Sequence, residues 1–61
     1  MPPKLRIRQE RSLIGVPKNQ RQTVKALGLK RIGHTVEQED RAEIRGMVRK
    51  VKHLVKVERI S

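Results

Sequence analysis

Asp40-Arg41-Ala42-Glu43-Ile44-Arg45-Gly46-Met47-Val48-Arg49-Lys50-Val51-Lys52-His53-Leu54-Val55-Lys56-Val57-Glu58 changes its hydrophobic period part-way along. Ile44, Met47, Val48, Val51 and Val55 follow the i, i+3, i+4, i+7, i+11 course of a buried helical stripe, while Arg41, Arg45, Arg49 and Lys52 track another side. From Val55 to Glu58 apolar and polar residues alternate, the period of a strand with one buried face. The stretch therefore predicts an amphipathic helix, basic outside, that ends near His53 and runs into a strand. Asp40-Arg41-Ala42-Glu43 has the form of a capping box, with an acceptor at the N-cap and Glu three residues later, and marks the start of that helix.

Working toward the N-terminus, Leu5-Arg6-Ile7-Arg8 alternates in the same way, which places a first strand at about Lys4 to Gln9. Arg11 to Pro17 carries Gly15 and Pro17 as turn punctuation and reads as a basic loop leading into a helix opened by Pro17 or Lys18. In that helix Gln20, Val24 and Leu27 share a face, and Gly28 stands where a left-handed C-terminal cap is wanted. Lys18, Arg21 and Lys25 fall at spacings of three and four and line up as a basic stripe. Lys30-Arg31-Ile32-Gly33 then leads to a short second strand around Thr35 to Glu37. The order β-α-β-α-β predicts an α+β, two-layer fold in which a three-stranded sheet carries both helices on one side. The expected core is Leu5, Ile7, Val24, Leu27, Leu29, Val36, Ile44, Met47, Val48, Val51, Leu54, Val55 and Val57. No internal repeat or linker divides the chain, so residues 1–61 read as a single domain.

Sixty-one residues bury a small core, and without cysteine there is neither a disulfide nor a thiolate metal site to support it. A partner is the remaining support. The formal net charge of +10 points to a polyanion. Residues 1–33 hold nine basic and one acidic residue, whereas residues 34–61 hold seven basic and five acidic, so the first half is expected to make more of the contact. Glu37, Glu39, Asp40 and Glu43 are expected to face away from phosphate. With no Phe, Tyr or Trp, the aromatic platforms of single-strand binders are excluded, and recognition must rest on phosphate and sugar contacts, arginine forks and shape. Such contacts suit a folded RNA. No apolar run approaches the roughly 20 residues of a spanning helix, and Met1-Pro2-Pro3 does not open a signal peptide, so a cytoplasmic protein without a membrane partner is expected.

Nothing in the chain reads as catalytic. The acids from Glu37 to Glu43 fit the positive end of a helix better than a metal or acid-base site. His34 and His53 are far apart in sequence and lack a cysteine partner, so no zinc site is expected. Ser12, Thr23, Thr35 and Ser61 have no triad context, and no Gly-rich phosphate loop implies a nucleotide cofactor or small-molecule substrate. Gly15 serves either an ordinary turn or a close backbone approach to RNA. Gly46 costs roughly 1 kcal/mol inside a helix and calls for a close neighbour, whether RNA backbone or a strand. Met47 belongs to the apolar stripe, Arg45 is the sharper candidate for a phosphate or base contact, and His53 either hydrogen-bonds RNA or caps the second helix.

Ile14-Gly15, Gln20-Arg21, Thr23-Val24-Lys25-Ala26-Leu27-Gly28-Leu29, Ile44-Arg45-Gly46-Met47 and Val51-Lys52-His53-Leu54-Val55-Lys56-Val57-Glu58 closely resemble the bacterial-type large-subunit ribosomal protein thirty family, in order and spacing, over about nine-tenths of the chain. The resemblance implies a ferredoxin-like variant with an antiparallel sheet in strand order 3-1-2. It also implies a cytoplasmic, non-enzymatic constituent of the large ribosomal subunit that binds and stabilises folded large-subunit (23S) ribosomal RNA beside neighbouring ribosomal proteins. The region resembling the family's RNA-facing part comprises Gly15, Pro17, Lys18, Gln20 and Arg21, together with Arg45-Gly46-Met47. With the charged residues around them, the expected RNA-binding set is Arg11, Gly15, Pro17, Lys18, Gln20, Arg21, Lys25, Lys30, Arg31, Arg45, Gly46, Arg49, Lys52 and His53. Two positions depart from the pattern: Ala42 where the family often has Pro, and the polar Arg8-Gln9-Glu10-Arg11 at the end of strand one. The alternative readings are a DNA-binding module, which lacks helix-turn-helix spacing and a dimer seam, and a membrane-surface helix, which lacks Trp or Phe anchors.

Overall fold

Strict alternation along Lys4–Gln9, strand β1, turns Leu5, Ile7 and Gln9 inward and Lys4, Arg6 and Arg8 outward. The computed structural model describes residues 3–60, so the expectations placed on Met1, Pro2 and Ser61 lie outside the described residues. After β1 come α1 (Lys18–Ala26), β2 (Thr35–Glu39), α2 (Ala42–Val51) and β3 (Val55–Arg59). β1 is the central strand and pairs antiparallel with both others, in the order β2-β1-β3. One face of the sheet packs beneath the helices: Leu5, Ile7, Val24, Leu27, Leu29, Val51, Leu54 and Val55 are buried together. Val36, Ile44, Met47, Val48 and Val57 pack around that centre half-buried, and Leu13 and Val16 of the β1–α1 loop join them beyond the expected set.

The expected left-handed cap of α1 is present. Gly28 has φ +99°, its N–H donates to Lys25 O, and the Leu29 N–H donates to Val24 O, the paired bonds of a Schellman motif. Leu29 and Val24 are both buried, which supplies the apolar contact that usually accompanies the motif. A nine-residue helix is marginal alone, so this cap and the buried Val24–Leu27 side hold α1 in place.

Three boundaries differ from expectation, the end of β2 and both ends of α2. β2 extends to Glu39, because Leu5 and Lys4 of β1 still offer partners to Gln38 and Glu39. Gln38 lies on the core side, where its Nε2 donates to Leu27 O at 2.7 Å, so a polar residue hides the apolar period. The capping box does not form: Arg41 is the N-cap, and no side chain caps the helix. Asp40 Oδ1 instead lies 2.8 Å from Arg45 Nε, an ion pair without hydrogen-bond alignment. α2 stops at Val51 rather than near His53, because the Leu54 N–H turns back to Val51 O at 2.8 Å. Val55 consequently opens β3 and is buried there rather than continuing the helical stripe.

Gln9 occupies an inward strand position and is only 2% exposed. Its Nε2 donates to Arg11 O at 3.0 Å, while Oε1 has no hydrogen-bond partner among the described residues.

Candidate nucleic-acid interface

The open face of the sheet neutralises itself. Register places Arg6 between Glu37 and Glu58, and its guanidinium lies 4.0 Å and 3.8 Å from their carboxylates. Lys4 sits opposite Glu39, Arg8 reaches Glu10 at 3.6 Å, and Glu39 also binds Arg41 at 2.6 Å. Exposed pairs of this kind add at most about 1 kcal/mol each. Their larger effect is on potential, since a phosphate approaching this face meets carboxylates set among the cations.

The opposite condition holds from residue 11 to residue 36, which contain no acid at all. Arg11, Lys18, Arg21, Lys25, Lys30 and Arg31 are all exposed there, and none has an ion-pair partner among the described residues. Arg21 and Lys25, one turn apart on α1, meet Lys30 and Arg31 across an open cleft of about 580 Å3. Two backbone bonds hold the far wall in position: the Gly33 N–H donates to Gln9 O at 2.7 Å, and the Gln9 N–H donates to His34 O at 3.1 Å. His34 Nδ1 accepts from the Lys30 N–H at 3.2 Å and closes the same turn from inside.

Lys18 and the N-cap Pro17 stand at the start of α1, and Gly15, with φ +80°, lies in the turn before it. Gln20 and His53, both expected at the interface, meet each other at 3.1 Å and tie α1 to the chain beyond α2. His53 therefore does not cap α2. Arg49 and Lys52 are exposed without ion-pair partners among the described residues, whereas Arg45 is held by Asp40. A Cβ on Gly46 would meet nothing within 4 Å, so no strand stands behind it to explain the glycine. Of the sequence set, Arg21, Lys25, Lys30 and Arg31 thus come together around the cleft, Arg45, Gly46, Arg49 and Lys52 lie along α2 and its end, and Gln20 and His53 pair with each other between the two.

Glu37, Glu39 and Asp40 are each engaged with an arginine, and among the described residues no group of three His, Cys, Asp or Glu side chains could hold a metal. No helix among the described residues is long and apolar enough to cross a membrane.

Sequence reasoning missed Gln9, Ser12, Leu13, Ile14 and Ile32, which also line the cleft. Ile14 and Ile32 are 92% and 57% exposed, too open to belong to the core. The signal was present as an apolar residue immediately before a loop glycine, twice, in Ile14-Gly15 and Ile32-Gly33.

Comparison with known proteins gives a consistent result. Residues 5–55 match the family model described as ribosomal protein L30p/L7e. The chain is 53% identical over 57 residues to the large ribosomal subunit protein uL30 of Nocardioides sp., covering 93% of this chain and 95% of that one. It is 60% identical over 55 residues to the protein of the same name from Desulforudis audaxviator, covering 90% and 86%. Against that from Shouchella clausii it is 58% identical over 61 residues, covering 100% and 98%.

Proposed function

Since the chain belongs to the ribosomal protein L30p/L7e family, we propose that it binds and stabilises folded ribosomal RNA through the acid-free side formed by the β1–α1 loop, α1 and the turn before β2. It is a structural constituent of the large ribosomal subunit and not an enzyme. The observation that carries the finer reading is the separation of charge: carboxylates lie among the cations of the open sheet face, while Arg21, Lys25, Lys30 and Arg31 surround one cleft that no carboxylate lines. Phosphates placed there would relieve the repulsion among these cations, and the +10 chain would in turn relieve repulsion between RNA helices.

The stripe of Arg45, Arg49 and Lys52 on α2 offers a second contact, with Gly46 leaving room for a backbone to approach. Asp40 holds Arg45 in a fixed orientation, which lowers the entropy cost of binding at the expense of part of its charge. The test is sedimentation of a tagged copy expressed in a bacterium through a sucrose gradient after a high-salt wash. Co-migration with the large subunit that survives the wash supports the reading; release to the top of the gradient, or migration with chromosomal DNA, overturns it.

A further inference from the structure

Two turns bordering the cleft are built alike. In Leu13–Val16 the Val16 N–H donates to Leu13 O at 3.1 Å, and in Arg31–His34 the His34 N–H donates to Arg31 O at 3.0 Å. Each has glycine third, with φ +80° at Gly15 and +83° at Gly33, as type II turns require. Each has isoleucine second. That position tolerates most residues, and Ile14 and Ile32 are too exposed to add to the core, so folding gives no reason for a large apolar side chain at either turn. Ser12 Oγ accepts the Ile14 N–H at 3.1 Å and fixes the first turn, just as His34 fixes the second.

We infer that the cleft receives a single unstacked RNA nucleotide, its base against Ile14 and Ile32 and its flanking phosphates on Arg21, Lys25, Lys30 and Arg31. The inference rests on the RNA-binding reading and deepens it. A volume of about 580 Å3 lies in the range of small-ligand sites, roughly 300–1,000 Å3. Apolar contact ringed by cations, with no acid in the lining, matches a group that pairs an apolar face with negative charge. In RNA that group is a splayed-out nucleotide, and isoleucine is among the apolar side chains that contact base faces in nucleic-acid complexes. An acidic protein segment would satisfy the cations but would offer the two isoleucines no flat apolar face.

The test uses the full chain with bacterial large subunits depleted of their own copy of the protein. Bases are probed with dimethyl sulfate and a carbodiimide, and the RNA backbone with hydroxyl radicals. The wild-type chain is expected to protect one discrete unpaired base within a wider backbone footprint. Ile14→Ser combined with Ile32→Ser is expected to abolish that base protection and bind about tenfold more weakly, with the backbone footprint and the salt slope retained. Both side chains are exposed, so the variant keeps its fold, which circular dichroism checks. Base protection that persists in the double variant overturns the inference, as does a variant that detaches from a neighbouring protein while its RNA footprint is intact. A wild-type chain with no backbone footprint overturns the RNA-binding reading itself.

Discussion

A Cβ added at Gly46 would project into open space midway along α2, so Gly46→Ala is predicted to stabilise the free protein by up to about 1 kcal/mol, the helix-propensity difference. Thermal unfolding checks the sign, and binding to depleted subunits should move the opposite way, because the methyl group fills space the proposed RNA backbone needs. Gly28 behaves differently although both are helix-associated glycines. Its φ of +99° lies in the left-handed region, so Gly28→Ala should destabilise by roughly 1–2 kcal/mol even though a Cβ would meet Val36 at an ordinary 3.6 Å. A raised melting temperature in Gly28→Ala would contradict this account of the cap. Single residues also mark where sequence reading stops. Gln9 and Gln38 occupy inward strand positions, but polarity disguises them until Arg11 O and Leu27 O appear as their partners.

Elements are legible where a period and a terminator agree. α1 combines an apolar side with Pro17 and Gly28 at its ends, and β1 alternates basic and apolar residues from Lys4 to Arg8. β2 reads short in the sequence because its last residues owe their strand conformation to pairing with Lys4 and Leu5, a non-local cause that the local pattern does not carry. The start of α2 misleads for another reason. Asp40 has two competing partners, the open N–H groups of the helix and the Arg45 guanidinium one turn into it, and a motif cannot weigh them. The cleft is half legible: its cations stand out in composition, but the turn that presents Ile32 depends on a non-local backbone bond from Gly33 to Gln9 of β1, whereas the Ile14 turn is closed locally by the Val16–Leu13 and Ser12 bonds. One of those turns is directly testable. His34→Ala removes the acceptor of the Lys30 N–H and is predicted to speed amide exchange at Lys30, with a destabilisation of about 1 kcal/mol. Unchanged exchange there would mean that the ladder bonds of Gln9 alone hold the turn.

The whole molecule joins a small core to an excess of positive charge. Leu27 is fully buried, so Leu27→Ala should cost about 2–5 kcal/mol. A chain of this size has only a few kcal/mol of stability in total. The variant is therefore predicted to be largely unfolded in isolation by circular dichroism, and to recover structure on adding ribosomal RNA that binds only the folded state. Salt should act in opposite directions on the two properties, raising the melting temperature of the free +10 chain by screening its self-repulsion while weakening its hold on RNA. The asymmetry of charge between faces is the central claim, and the salt dependence of binding to transcribed large-subunit RNA measures it most directly. Lys25→Gln with Arg31→Gln should reduce the log-log salt slope by roughly 1.4–1.8, about 0.7–0.9 for each phosphate no longer neutralised. Arg8→Gln with Lys56→Gln, on the open sheet face, should leave the slope unchanged. An equal or larger reduction from the sheet-face pair would contradict the account and place the RNA on the other side of the molecule.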